Sequence, residues 1–123
     1  MREILFRGKR FCDSDWVDGS LFIDEKKDKH EILVGYVNYR IGWEVDPKTV
    51  GQFTGLTDKN RKKIFEGDIL DVMHQGIFEC RWDEGNIEFG LSNSKESFGI
   101  AYVSPNDIFV IGNIHDNPEL LEK

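Results

Sequence analysis

The sequence predicts a mainly β fold, with a small barrel or curved antiparallel sheets and short helical additions that include a C-terminal helix. The first observation is that turn-forming residues recur about every eight to twelve positions, a spacing typical of antiparallel sheets and small barrels. The second is the alternation of Phe78, Cys80 and Trp82 with Glu79 and Arg81. That period of two is typical of a strand with one apolar face.

Residue type and turn signals predict five strands in the first half of the chain. They cover residues 4–6, 16–23, 32–34, 34–43 and 49–53. The charged segment 24–31 is expected to be an exposed loop between two antiparallel strands. A break is expected at Asp46-Pro47, because the residue before proline avoids the helical region and the pair favours a turn.

The second half predicts five more strands and the C-terminal helix. The strands cover residues 69–74, 77–82, 87–91, 98–103 and 108–111. The helix is expected over residues 117–122, since Asn117 can cap its start and Pro118 suits its first position. Residues 1–123 are expected to form a single domain, with residues 1–48 as a subdomain against a barrel-like part at 49–114 and the helix at 117–122.

Composition excludes several classes of protein. The 123 residues are 39% hydrophobic with nine Phe, three Trp and three Tyr, which suits one aromatic-rich core rather than disorder. No apolar run approaches the length of a membrane span, and the N-terminus lacks a signal-peptide pattern, so a cytoplasmic location is expected. The net charge of −7 opposes general binding to nucleic acid, whose phosphates require clustered cations.

Residues 50–70 combine two glycine turns with a basic tip. The expected turn motif consists of Gly55, Asp58, Asn60, Gly67 and Asp68, whose side chains or backbone freedom favour tight reversals. The tip contains Lys59, Arg61, Lys62 and Lys63. These cations either keep a turn exposed to solvent or contact a partner, which makes them the candidate partner-binding residues.

Three blocks of the chain resemble the YopX-like proteins, small proteins encoded by bacteriophages and prophages. REILFRGKR resembles that family's opening block, VGQFTGLTDKNRKKIFEGDIL its central signature, and VIGNIHDNPELL its closing block. The resemblance covers nearly the whole chain. It implies a mainly β fold, a phage or prophage origin in a bacterial host cell and a homo-oligomer, but no chemistry that could be transferred to particular residues.

One position departs from the family's pattern. Glycine usually follows the Asn of the central signature, and here that position is Arg61. An Asn-Gly pair favours a turn with positive φ at both central residues, which Arg would strain. A type I turn or a longer loop is therefore predicted at this tip.

No catalytic, metal or cofactor motif emerges from the remaining residues. The Glu66-Gly67-Asp68 corner could bind a cation or act in acid–base chemistry, but Asp68 is better explained as an acceptor for nearby backbone N–H groups. A hydrolase using Asp68, Glu66 and His74 is the least favoured function. His30, His74 and His115 lack metal-site spacing, although Cys80 or Asp116 could join them in space. The two cysteines, Cys12 and Cys80, are expected to be reduced and buried.

Seven aromatic side chains could form a core or a base-stacking platform, and the core is favoured in so short a chain. They are Trp16, Trp43, Trp82, Phe53, Phe65, Phe78 and Phe89. The acidic surface and the lack of a catalytic constellation favour a non-catalytic binding or assembly module with protein partners or copies of itself. The alternative is a nucleic-acid-associated protein that uses the basic tip from Lys59 to Lys63. No membrane partner and no enzymatic activity are expected.

Overall fold

A computed structural model describes residues 3–36 and 38–122 of the chain. They divide into two compact units, Met1–Phe53 and Thr54–Lys123. The strands are β1 (Phe6–Arg10), β2 (Trp16–Asp24), β3 (Lys29–Gly35), β4 (Arg40–Thr57), β5 (Lys63–Phe65), β6 (Asp68–Val72), β7 (Gly76–Asp83), β8 (Glu88–Ser92), β9 (Ser97–Gly99) and β10 (Ile108–Asn113). Short 3-10 helices cover Ile100–Tyr102, Pro105–Asp107 and Pro118–Glu122. The prediction of a mainly β fold of small, curved antiparallel sheets is confirmed.

The first unit is a ring of strands. Strands β1 to β4 follow one another in sheet order, and β1 also pairs with β4, so the ring closes. Its interior contains the fully buried side chains of Ile32 and Val45. Gly8 allows β1 to approach that interior closely, because a Cβ atom on it would lie 2.8 Å from the Val45 side chain.

The course of β4 differs from its prediction in two places. The predicted continuous strand over residues 34–43 is wrong, since β3 ends at Gly35, which pairs with Arg40 at the start of β4, and Tyr36 N–H donates to the Tyr39 carbonyl at 2.7 Å. The predicted break at Asp46-Pro47 is also wrong, because β4 continues to Thr57. Pro47 is accommodated where the register with β1 shifts, so it need not donate to the ladder.

The second unit is organised around an antiparallel sheet with the strand order β10-β6-β7-β8-β9. Its core includes the buried side chains of Ile64, Leu70, Val72, Phe78, Cys80, Phe89, Leu91 and Ile108. Strand β5 pairs with β4 instead of joining this sheet. The pairing involves the last residues of β4, which belong to the second unit, and Thr54 Oγ1 donates there to the Ile64 carbonyl at 2.8 Å. The predicted inward face of β7 is observed for Phe78 and Cys80, which are both fully buried.

Two predicted elements are shorter than expected. The predicted strand over residues 98–103 ends at Gly99, and Ile100–Tyr102 forms a 3-10 turn instead. The predicted C-terminal helix is a 3-10 helix over Pro118–Glu122, in which Leu120 N–H donates to the Asn117 carbonyl. In the part of the chain that the structure describes, no helix has the length and apolar character needed to cross a membrane.

Candidate functional site

A cross-strand register places two glycines side by side on one face of the second unit's sheet. Arg81 of β7 pairs with Gly90 of β8, and Gly90 pairs with Gly99 of β9. Residues directly opposite one another in antiparallel strands project from the same face of a sheet. Arg81 therefore projects beside two positions that have no side chain.

An open cavity of about 440 Å³ lies over this bare backbone. Its lining includes Arg81, Asp83, Asn86 and Ser97 together with the two glycines. Glu88 adds a carboxylate at this face, because its Oε1 atom would lie 2.5 Å from a Cβ atom placed on Gly99. The lining is thus polar, with charges of both signs around a floor of main chain.

The backbone conformation does not explain why these two positions are glycine. Neither Gly90 nor Gly99 has a positive φ. A Cβ atom on Gly90 would come no closer than 3.4 Å to any neighbour, whereas one on Gly99 would lie 2.5 Å from Glu88 Oε1, so the Glu88 carboxylate covers that glycine. Since glycine weakens a strand and often marks the close approach of a ligand or another backbone, Gly90 at the floor of the cavity points to a binding role.

The turn between β7 and β8 forms one end of the cavity. Asp83 holds it by accepting hydrogen bonds from the backbone N–H groups of Gly85 at 3.0 Å and Asn86 at 3.3 Å, and from Asn86 Nδ2 at 2.9 Å. The side-chain bond from Asn86 is the largest cause that lowers the pKa of Asp83, and the charge of Arg81 acts in the same direction. Asp83 therefore stays anionic across neutral pH.

The basic tip between β4 and β5 is a hairpin held by Asp58, a buried carboxylate. Arg61 N–H donates to the Asp58 carbonyl and Asp58 N–H donates to the Lys62 carbonyl, which is the bonding pattern of a type I turn followed by a bulge. The predicted type I turn is observed, but Arg61, which follows its central residues, still adopts the left-handed conformation, with φ of 64°. The expectation that Arg at this position avoids positive φ is wrong.

We call residues 59–63 the basic loop. All four of its cations, Lys59, Arg61, Lys62 and Lys63, are exposed. The loop is attached to β10, because Lys59 N–H donates to the Ile108 carbonyl at 2.9 Å. Lys59 Nζ also lies 5.8 Å from the centre of the Phe109 ring, which places one half-buried aromatic beside the loop.

The Glu66-Gly67-Asp68 corner has a clear structural explanation. Asp68 is only 1% exposed, and its carboxylate accepts a hydrogen bond from Phe65 N–H at 2.7 Å. Gly67 has φ of 94°, where other residues are strained. Asp68 begins β6 and His74 lies in the turn beyond its other end, so the length of the strand, about 13 Å, lies between them. Asp68 and His74 do not converge.

Histidines and cysteines do not gather either. Within residues 3–36 and 38–122, no group of three or more His, Cys, Asp or Glu side chains is placed to hold a metal ion. His30 lies in β3, His74 in the turn after β6 and His115 in the turn after β10. Cys80 is buried as expected, whereas Cys12 is exposed because it lies in the turn that follows β1.

The aromatic side chains mostly build cores. Phe53, Phe65, Phe78 and Phe89 are all at most 8% exposed, which confirms the core interpretation for these four. Trp82 is 41% exposed and packs edge-on against the Phe89 ring at 5.0 Å. Trp43 is half-buried under the guanidinium of Arg10, and Trp16 under that of Arg7. Of these seven rings Trp82 alone is exposed, so they do not form an exposed row.

Sequence reasoning missed the cavity because its parts come from three strands. Gly90 and Gly99 become neighbours only through the register of β8 with β9. One signal was visible: Gly90 takes the alternate position between Phe89 and Leu91, where a strand with one apolar face ordinarily has a polar or β-branched side chain. A glycine there indicates a close approach that the sequence alone cannot locate.

These features define a small all-β protein with an open polar cavity and a separate basic loop. The chain matches the family described as YopX protein over residues 5–122, and it belongs to that family. It is similar in structure to protein EF1440 from Enterococcus faecalis, with a TM-score of 0.62 and 25% sequence identity over 98% of this chain and 99% of that one. No curated protein matches the chain.

Proposed function

We propose that this chain is a non-catalytic binding and assembly module that receives a protein partner in the cavity over Gly90 and Gly99. The observation that carries the proposal is the glycine floor, which is uncovered at Gly90 and overlaid by the Glu88 carboxylate at Gly99. Two glycines face each other across β8 and β9, although neither has a positive φ. A floor of this kind lets another molecule approach the backbone closely.

The lining favours a polar, positively charged segment of the partner. Asp83 and Glu84 line the cavity and Glu88 lies against Gly99, so three carboxylates surround the floor against the single cation Arg81. Opposite charges across an interface raise the rate of association and exclude partners of the wrong sign. Since the lining is mostly polar and the cavity is open, a peptide segment suits it better than an apolar small molecule.

The chemistry of the site supports a binding role without catalysis. Asp68 is engaged with backbone N–H of Phe65, and Asp83 is engaged with its own turn. Asp68→Asn is expected to leave any hydrolytic background of the purified protein unchanged. Turnover of a phosphoester or peptide substrate that disappears in Asp68→Asn would contradict the absence of catalysis.

A phage or prophage origin, with the protein acting in the cytoplasm of the bacterial host, completes this proposal. Family membership supports it, because the YopX-like proteins that the sequence resembles are encoded by phages and prophages. An accessory role in assembly fits a small β scaffold with an exposed loop and a separate cavity.

Binding of nucleic acid through the basic loop is the second candidate function. The observation that favours it is the exposure of all four cations, Lys59, Arg61, Lys62 and Lys63. Binding of an oligonucleotide that weakens steeply with salt and is lost in Lys62→Glu with Lys63→Glu would support it. No mobility shift of single- or double-stranded oligonucleotides at low salt would remove it.

Site-specific photocrosslinking tests the binding function. A photoreactive amino acid replaces Ser97 at the cavity, or Glu25 in the exposed turn after β2 as a control, in a bacterial host that produces the chain. Adducts are expected from position 97 and are expected to disappear when Gly90→Val fills the floor. Adducts at position 97 that persist in a correctly folded Gly90→Val protein would contradict the proposal, and so would their absence in the wild type.

A further inference from the structure

We propose that the partner received by the cavity is the basic loop of a second copy of this chain. The inference rests on the proposed binding function and names the occupant of the same site. It joins two features of the second unit that the sheet places apart: an acid-rimmed cavity and an exposed cationic hairpin.

The charges of the two surfaces are complementary. The basic loop presents four exposed cations, and its neighbouring carboxylate, Asp58, is buried and bonded to backbone N–H groups. Asp83, Glu84 and Glu88 surround the glycine floor. Because the whole chain carries a net charge of −7, this loop is an unusual concentration of positive charge on an acidic molecule. Such a loop is attracted to the carboxylates of a second copy.

The sheet keeps a molecule from filling its own cavity. The basic loop is attached to β10, through Lys59 N–H to Ile108 and through Asp58 to Val110 N–H. Strand β10 forms one edge of the sheet, and β8 and β9, which carry the floor, lie at the other. Three strand spacings separate β10 from β8, about 14 Å. The contact is therefore made between copies.

The geometry of the loop suits insertion. A type I turn with a bulge makes a narrow hairpin end, with Lys59 and Asn60 as its central residues and Arg61 and Lys62 directly after them. Arg81 on the cavity wall repels a cation beside it, so the loop's charged groups are directed to the carboxylate end formed by Asp83 and Glu84. A reciprocal exchange of loops between two copies forms a two-fold dimer, whereas a one-way contact forms a ring or an open chain.

A charge-swap experiment tests the pairing by sedimentation velocity over a concentration series. The loop-reversed variant is Arg61→Asp with Lys62→Glu, in which Asp tolerates the left-handed conformation of position 61. The cavity-reversed variant is Glu84→Lys with Glu88→Lys. Each variant alone is expected to associate roughly tenfold or more weakly than the wild type, because several pairs are reversed at once.

Restored association is the decisive result. A mixture of the two variants, or one chain with all four substitutions, is expected to associate as the wild type does, since opposite charges face each other again. The matched controls change the same net charge elsewhere: Lys26→Glu with Lys27→Glu, and Glu25→Lys with Glu119→Lys. Both controls are expected to associate like the wild type, and raised salt is expected to weaken all association.

Other outcomes separate this inference from the binding function. A wild-type chain that stays monomeric at all concentrations, or a mixture that fails to recover association, overturns the loop as occupant. If, in either of these cases, the photocrosslinked adduct at position 97 forms in the wild type and is lost in Gly90→Val, the cavity binds a different partner and the binding function stands. Controls that lose association as strongly as the loop-reversed variant would also overturn the pairing, because net charge alone would then explain the effect.

Discussion

The carboxylate of Asp58 accepts a hydrogen bond from the backbone N–H of Val110 at 2.9 Å, across 52 residues of sequence. Its other oxygen accepts from the N–H groups of Asn60 and Lys62, each at 2.9 Å. One buried side chain thus shapes the basic loop and ties it to β10. The position of the loop relative to the sheet depends on this carboxylate.

We expect Asp58→Ala to lower the free energy of unfolding by about 3 kcal/mol, because three backbone donors lose a charged acceptor and at least one is partly buried. Urea unfolding followed by circular dichroism measures the change. Asp24→Ala is the matched control, since Asp24 accepts two N–H bonds in an exposed turn, from Lys26 and Lys27. The control is expected to cost about 1 kcal/mol or less. Equal losses would contradict the anchoring role of Asp58.

Arg61→Gly is expected to raise the free energy of unfolding by about 0.5–1 kcal/mol. The left-handed conformation costs a residue with a side chain roughly 1–2 kcal/mol, and the greater freedom of glycine in the unfolded chain offsets part of the gain. Thermal and urea unfolding both report the change. Lys62→Gly, at a position without positive φ, is expected to destabilise instead. A destabilised Arg61→Gly protein would show that the loop relieves its strain in another way.

Two glycine substitutions are expected to act in opposite directions. In Gly8→Ala the new methyl group would lie 2.8 Å from the Val45 side chain, so overpacking is expected to cost about 1–3 kcal/mol. In Gly90→Ala the methyl group enters the cavity, and stability is expected to stay unchanged or rise by about 0.5 kcal/mol. The free energy of unfolding measures both. A large loss in Gly90→Ala would mean that the fold itself requires that glycine.

Asn86→Ala is expected to raise the pKa of Asp83 toward the ordinary value of about 3.9, since the Asn86 side chain is the largest cause that lowers it. Carboxyl ¹³C signals followed by NMR from pH 1.5 to roughly 6 measure this titration. The folded-state pKa of Asp83 lies below its unfolded value, so its contribution to stability is present above about pH 4 and is lost as the pH falls through the folded pKa.

Asp13 is the internal control for that titration. Its hydrogen bonds from the Arg10 guanidinium are the largest cause that lowers its pKa to about 2. Asn86→Ala is expected to leave this value unchanged, because Asn86 has no part in the contacts of Asp13. A shift of both carboxyl groups would indicate a general change of the protein rather than loss of one hydrogen bond.

The sequence predicted most strands, since alternation and turn residues are local. It failed where tertiary pairing overrode local chemistry. Pro47 looked like a break, but a shift in register between β1 and β4 accommodates it. Tyr36 and Tyr39 looked like strand by residue type, yet both lie between β3 and β4, and their rings stack with centroids 5.0 Å apart.

The basic loop and its turn residues were visible in the sequence because they are consecutive. The cavity was not, because Gly90 and Gly99 meet only through the register of β8 and β9. Arg61 shows that local residue type can also mislead a prediction within a consecutive segment. Residue type argued against a positive φ, but the bonds that close the hairpin around Asp58 fix that conformation in spite of the side chain.

The most direct test of the central claim is to follow the backbone amide signals of Gly90 and Gly99 by NMR as the protein is concentrated. If the cavity receives the basic loop of another copy, these two signals shift together with those of Lys59 and Lys62. The amide of Gly35, at the end of β3, stays in place as a control. Association of the protein without any shift at Gly90 and Gly99 would contradict the claim that the glycine-floored cavity is the binding site.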